Sequence, residues 1–277
     1  MNPETKALIK AVTPPLLWNA FRGLAVDTKP PVTYEGSFET FEDVRSSYPA
    51  ATNYHSAGSE AEEIDQALNK LERFRNGDIP EEGVTLPRLN FLPTLLSLHP
   101  KESPSVLDVG GGAGISFIDL MFSLPGKSVS MTVLELPETA ARARGILCDY
   151  HGLSFTDVFP GAEARFDVVY FGSSLQYFED YRGILGRVMG LQAGLVVIAD
   201  TTMGDGPTFV AAQVNMANRV IPRMVFNLSE LTAVFAEGGY ALLHKSINPD
   251  ANHNFSNYPP PVSETRHWNL VFRRFQS

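Results

Sequence analysis

From Ser105 onward, short apolar runs alternate with glycine-bearing turns and amphipathic segments, and the hydrophobic period switches between about 2 and about 3.6 residues. That alternation is the pattern of a parallel sheet covered by helices on both faces. Strands are predicted at Ser105–Val109, Val129–Glu135, Leu153–Thr156, Phe166–Phe171 and Leu195–Ala199, with helices at Ile115–Ser123, Thr139–Tyr150 and Tyr181–Leu191. Residues 201–228 carry Gly204, Gly206, Pro207 and a mixed apolar run, and read as an insertion. Ser229 then caps a helix containing Leu231, Val234 and Phe235, which Gly238 and Gly239 end. Two closing strands, Tyr240–Ser246 and Trp268–Phe275, flank a Pro/Asn-rich loop from Asn248 to Pro261 whose length points to a functional role.

Residues 1–100 have helix and loop signals but no convincing run of buried strands, and read as an accessory helical cap on a domain spanning 101–277. Ser59 with Glu62 forms a capping-box pattern, followed by Ala61, Ile64, Leu68, Leu71 and Phe74 at helical spacing and a stop at Asn76 and Gly77. A second helix follows Pro87 through Leu89, Leu92, Leu95 and Leu96. Nearer the start, Lys6 and Lys10 precede Leu16, Leu17 and Trp18, but Pro14 and Pro15 break the stretch and no small-residue cleavage site follows. This is a surface helix pattern rather than a signal peptide.

Composition narrows the function classes. The 277 residues include 22 Lys and Arg against 31 Asp and Glu, a formal net charge of −9, which offers no broad basic face for nucleic acid. A 44% hydrophobic content suffices for a full core. No apolar run approaches the ~18 residues of a membrane span. The single cysteine, Cys148, can make neither an internal disulfide nor a thiolate metal cage, and no His/Asp/Glu cluster has metal-ligand spacing. A cytoplasmic protein without a metal is expected.

The informative segment is Val106-Leu107-Asp108-Val109-Gly110-Gly111-Gly112-Ala113-Gly114, which follows a strand signal and opens a helix. Glycines there let backbone N–H groups approach a ligand in front of a helix N-terminus. A dinucleotide fingerprint anchored at Gly110 and Gly112 needs Gly or Ala where the chain has Ile115, and a P-loop needs a Gly-Lys-Ser/Thr ending that is absent. What remains is Asp-x-Gly-x-Gly-x-Gly, whose carboxylate repels a pyrophosphate and attracts an ammonium or other cationic group.

Over residues 101–277 the sequence resembles the class I S-adenosylmethionine-dependent methyltransferases. The resemblance implies a Rossmann-like α/β fold with a mostly parallel seven-stranded sheet. It places Asp108, Gly110, Gly111, Gly112 and Gly114 around the amino acid end of S-adenosylmethionine, Glu135 at its ribose hydroxyls and Leu136 beside its adenine. Asp157 and Val158 match the position that reads the adenine edge, and Gly172 and Ser173 close the site from the fourth strand. Along Ser173-Ser174-Leu175-Gln176-Tyr177-Phe178, Gln176 and Tyr177 replace the two histidines usual in that family. In the N-terminal half, Tyr34-Glu35-Gly36-Ser37-Phe38 and Phe41-Glu42-Asp43, taken with Ser173–Tyr177, are similar to a bacterial methyltransferase family carrying Tyr-Glu-Gly-x-Phe. That family usually has a Phe before a Gly-Gly-Ser loop, where this chain has Val109-Gly110-Gly111-Gly112, and it carries a hint of surface polysaccharide pathways.

The resemblance implies methyl transfer to oxygen or nitrogen of a small molecule or glycan, with S-adenosylhomocysteine as product. Neither an Asn/Asp-Pro-Pro-Tyr/Phe motif nor a Pro-Cys nucleophile follows the fourth strand. Tyr177 and His253 are the candidates for an acceptor-side catalytic role, against a packing role for the first and an exposed loop position for the second. Tyr34, Tyr54 and His55 reach over the pocket from the cap or serve as ordinary surface groups. Two alternatives stay open: a scaffold that binds the cofactor without turnover, and an aminopropyl transferase using a decarboxylated cofactor. The cap either closes over the pocket or mediates a homodimer.

Overall fold

The computed structural model describes residues 33–49, 57–77, 87–147, 150–216, 219–248 and 254–275. The chain divides into two compact units, 1–31 and 32–277, and everything below concerns the second. The N-terminal surface helix pattern, Tyr54, His55 and His253 lie outside the described residues.

The strands are β1 (Tyr34–Phe38), β2 (Ser105–Val109), β3 (Ser130–Leu134), β4 (Leu153–Thr156), β5 (Val168–Gly172), β6 (Leu195–Gly204), β7 (Phe209–Met216), β8 (Arg219–Asn227), β9 (Tyr240–Ile247) and β10 (Arg266–Arg274). The helices are α1 (Phe41–Ser47), α2 (Ala57–Arg75), α3 (Pro87–Ser97), α4 (Ile115–Ser123), α5 (Pro137–Leu147), α6 (Tyr181–Gly190) and α7 (Leu228–Glu237). The ten strands form one sheet, of which seven run in the order β4-β3-β2-β5-β6-β10-β9, parallel except for β10, which runs antiparallel to both neighbours. This is a Rossmann-like fold. The order reverses between β2 and β5, so the crevice at their carboxyl ends is the natural ligand position.

Both faces are covered, as the continuous apolar strands require. On one face Leu107, Val109, Val169, Phe171, Val196 and Ile198 pack with α1, α6 and α7, and Phe235 stacks on Phe272 at 3.9 Å. On the other, Val106, Met131, Val168, Tyr170 and Val197 meet α4 and α5 together with Ile64, Ala67 and Leu71 of α2 and Leu92 and Leu96 of α3. The two helices foreseen in the cap therefore build the same core as the sheet.

The structure differs from the sequence reading at four places. Tyr34–Phe38 is a strand, because its backbone pairs with β7 and Tyr34 buries against Phe209 and Phe255 in a third cluster. Helix α2 begins at Ala57, which puts Ser59 inside its first turn rather than at the cap. Helix α7 is capped by Asn227, whose side chain accepts from the Glu230 N–H, leaving Ser229 inside the helix. The insertion is an antiparallel hairpin, β7-β8, and β8 continues the central sheet by pairing Phe226 and Asn227 with Met203 and Gly204 of a lengthened β6.

Helix α2 is tied to α4 by Lys70, whose Nζ lies 2.6 and 2.9 Å from the two carboxylate oxygens of the buried Asp119. Removing the cation strands a desolvated carboxylate, which costs more than the pair itself is worth. Lys70→Met should lower unfolding stability in urea by about 1–3 kcal/mol. Adding Asp119→Asn in the same chain should recover a good part of that loss; full additivity of the two changes would argue against the pair.

Candidate cofactor and acceptor site

The site begins at the end of β2. Asp108 is fully buried on the face shared with Val106, and neither carboxylate oxygen has a hydrogen-bond partner of acceptable geometry. Burial pushes the carboxyl up to about 7; the nearby Ser116 hydroxyl opposes the shift and the Glu135 charge adds to it. The glycine loop wraps over this group. A Cβ on Gly111 would lie 2.5 Å from the Asp108 Cγ, so only glycine fits there. Gly110, Gly112 and Gly114 hold φ values of 69°, 56° and 75°, the left-handed region that side chains disfavour, which accounts for the alternate-glycine spacing. Gly114 opens α4 with no side-chain cap, and its carbonyl accepts from the Phe117 and Ile118 N–H groups.

Glu135 follows β3. One oxygen accepts from the Gly112 N–H at 3.0 Å and the other from the Leu136 N–H at 2.8 Å, so the loop and the second strand are joined through this carboxylate. Leu136 is 46% exposed beside it and Val158 70% exposed beyond β4. The Thr156 hydroxyl holds the turn there, accepting from the Val158 N–H and donating to the Val158 carbonyl. Asp157 is exposed and 4.0 Å from Arg144. Because β5, β2, β3 and β4 are neighbours in register, Ser173, Gly110, Glu135 and Asp157 stand side by side along one edge. The structure thus brings the expected cofactor residues together, with Gly172 and Ser173 at the β5 end.

Ser173 itself has φ 61°, a strained conformation for a non-glycine residue. It is held from two sides. Its N–H donates to the Ala199 carbonyl at 2.9 Å, and Gln176 Nε2 donates to its carbonyl and hydroxyl at 2.6 and 3.1 Å. Next to it the Ser174 hydroxyl donates to the Val109 carbonyl, an approach that a Cβ on Gly110 would block at 2.9 Å from the Ser174 Cβ. Gln176, one of the two residues standing where the family has histidine, therefore has a structural task.

A second strained residue lies on the neighbouring strand. Asp200 has φ 52° at a bulge, where Trp268 pairs with Thr201 but Leu270 pairs with Ile198, and the displaced Asp200 N–H donates to the Asn269 side chain at 2.9 Å. Its carboxylate accepts from His267 Nδ1 and from Asn248 Nδ2, both at 2.8 Å. From there a buried chain runs outward. Arg223 Nη2 donates to the Thr202 hydroxyl at 2.6 Å, and that hydroxyl lies 3.2 Å from His267 Nε2. The Thr202 oxygen accepts from Arg223, and the direction of its contact with His267 Nε2 follows the imidazole tautomer. Burial lowers the His267 pKa despite Asp200, in keeping with a neutral ring.

Arg223 reaches the crevice through Tyr177. Its Nη1 is 3.4 Å from the Tyr177 hydroxyl, which donates to Gln213 Oε1 at 3.1 Å, and its guanidinium lies over the rings of Tyr34 and Tyr177 at 5.4 and 5.5 Å. Tyr34 is fully buried inside this arrangement and is not a surface group. Burial raises its pKa, opposed by Arg223. The sequence reading named Tyr177 and missed Arg223, His267, Asp200 and Thr202. Arg223 had a signal, a lone charge within the apolar run Val220–Phe226, and Asp200 another, a carboxylate directly after an apolar strand.

No group of three or more His, Cys, Asp or Glu among the described residues is arranged to hold a metal, and no helix among them is long and apolar enough to cross a membrane. No protein-family model and no curated protein matches the chain. Solved structures are similar at low identity. A 1,6-didemethyltoxoflavin-N1-methyltransferase from Burkholderia thailandensis, bound to its substrate and S-adenosylhomocysteine, is 15% identical, with 81% of this chain and 93% of that chain covered and a TM-score of 0.49. An amino pentose methyltransferase from Micromonospora echinaspora, bound to S-adenosylmethionine, is 17% identical over 68% and 90% of the two chains, with a TM-score of 0.46.

The raised Asp108 pKa has a definite sign in stability. Below about 3.8, the ordinary value, the group is protonated whether the chain is folded or not. Between about 3.8 and about 7 the unfolded chain releases this proton and the folded one keeps it, so stability falls as pH rises. The slope reaches about 1.4 kcal/mol per pH unit, and the penalty stops growing above the folded value. Urea titrations of Asp108→Asn should show this decline flattened between pH 4 and 7 relative to the unmodified chain, within about that slope.

Proposed function

We propose that the protein is an S-adenosylmethionine-dependent methyltransferase acting on oxygen or nitrogen of a small-molecule acceptor. The observation that supports this most directly is the Asp108 carboxylate, buried under three left-handed glycines with no hydrogen-bond partner of its own. A buried carboxylate without a partner is costly in a protein that has no cationic ligand to receive. The donor set fits this cofactor. Asp108 and the uncapped start of α4 suit an amino acid group bearing both charges, and Glu135 suits two ribose hydroxyls. Although Glu135 already accepts two backbone N–H bonds, a carboxylate offers about four lone-pair directions, so it can accept further bonds without leaving the loop. Leu136 and Val158 provide exposed apolar surface on either side of the position suited to an aromatic base.

When bound, the cofactor supplies an electrophilic methyl on a sulfonium. The remaining work belongs to the chain. Asp108, Glu135 and the glycine loop fix the cofactor against β2 and β3, while Ser173 and Tyr177 border the acceptor from the β5 end. Transfer of a methyl group is an in-line displacement, for which alignment supplies most of the acceleration. Rigidity at Ser173 and Asp200 therefore matters more than a strong base.

Calorimetric titration with S-adenosylhomocysteine tests the reading, with NAD and ATP as controls. Micromolar binding of S-adenosylhomocysteine alone is expected. Glu135→Ala should weaken it at least tenfold, about 1.4 kcal/mol, while circular dichroism stays unchanged. Binding of NAD instead, or an unaltered affinity in Glu135→Ala, would overturn the assignment.

A further inference from the structure

Arg223 is 2% exposed and carries a full positive charge against Tyr177, just past the carboxyl end of β5, an expensive placement for a residue in a hairpin inserted between β6 and α7. It is built in from several elements. Thr202 of β6 accepts from one end of the guanidinium, the Tyr177 hydroxyl lies at the other, and Tyr34 of β1 and Tyr177 present their ring faces. Among the described residues, the charged and titratable groups around it include Asp200 on β6, His267 on β10, Tyr34 on β1 and Tyr177 after β5. Asp200 accepts from His267 and Asn248, and His267 and the Thr202 hydroxyl link it to Arg223.

Of this chain, Tyr177 is the member that is half-buried and borders the crevice. An Arg223 N–H directed at its oxygen polarises the phenol and makes its O–H a stronger donor. That O–H now meets the neutral Gln213 Oε1, and rotation about the C–O bond redirects it. A cation with a polarised donor in front of it stabilises negative charge on an oxygen in the crevice.

We propose that Arg223, through Tyr177, selects a methyl acceptor that reacts as an oxyanion, a phenol or enol hydroxyl rather than an amine or a sugar hydroxyl. The proposal rests on the methyltransferase reading. In the step, the acceptor O–H proton passes to solvent water, the O–C bond forms, and the S–C bond breaks with its electron pair remaining on sulfur. Tyr177 contacts the acceptor; Arg223, Thr202, His267 and Asp200 are positioning residues.

The test uses the full chain saturated with S-adenosylhomocysteine and titrated with p-nitrophenol about one pH unit below the phenol's own pKa, reading phenolate absorbance. At least half of the bound probe is expected as phenolate, a shift of at least tenfold in its ionisation equilibrium. Tyr177→Phe should reduce the shift, Arg223→Met abolish it and Arg223→Lys retain most of it. Should Arg223→Met fail to fold, the lysine and Tyr177→Phe variants carry the comparison. Bound probe with the ionisation it has in solution, no binding of p-nitrophenol, or a shift unchanged in the variants that fold overturns the proposal. The two readings fail separately: absence of S-adenosylhomocysteine binding removes the methyltransferase reading, whereas binding of it without a phenolate shift removes this inference alone.

Discussion

Asp108 stands one residue before the end of β2, where strand alternation turns its carboxylate to the face covered by α2, α3, α4 and α5 and water is excluded. Much of the site follows from that single placement. The backbone can pass over the carboxylate only without a Cβ, which makes residue 111 a glycine. The chain must then reverse into α4 within a few residues, which requires the left-handed conformations at Gly110, Gly112 and Gly114. The N–H groups of Gly110 and Gly114 are taken up by the Leu134 and Gly111 carbonyls, and Glu135 accepts from the one at Gly112. A desolvated carboxyl group is thus held in place by geometry rather than by counter-charge, and a cationic ligand group beside it would favour its charged form.

The acceptor side is built by another route. Strand β6 bulges at Asp200, and the bulge aims a carboxylate into the sheet layer instead of continuing the ladder. Asn248 and His267 satisfy it from the loop after β9 and from β10, Asn269 accepts from the Asp200 N–H, and the hairpin β7-β8 supplies Arg223 and Gln213. The tail of the Pro/Asn-rich loop fixes the hairpin's other neighbour. Asn257 donates to the Tyr34 carbonyl, Tyr258 to the Gly36 carbonyl, and Phe255 stacks on Tyr34 at 4.4 Å. Segments far apart in sequence therefore converge on one network, in which Thr201 donates to Gln176 and Gln176 to Ser173, so the strain at Ser173 and at Asp200 is supported by shared bonds.

The parallel strands, the helices between them and the glycine loop were legible from sequence because each is local. An apolar run, a period change and a glycine pattern are properties of neighbouring residues. Asp108, Glu135 and Asp157 could be aligned on the same grounds, since strand ends in a parallel sheet fall on one edge. What the sequence could not show was decided by pairing between distant segments. Tyr34–Phe38 became a strand only because β7 offers it an edge, and the expected insertion became part of the sheet only where β6 runs on past Ala199 to meet β8. Arg223, Thr202, His267 and Asp200 come from three strands that share no periodic signal, and a buried hydrogen-bonded chain depends on side-chain register across those strands. Local chemistry specified the sheet and the glycine loop at its switch point; only the tertiary register of β6, β8 and β10 decided which groups gather beside Tyr177.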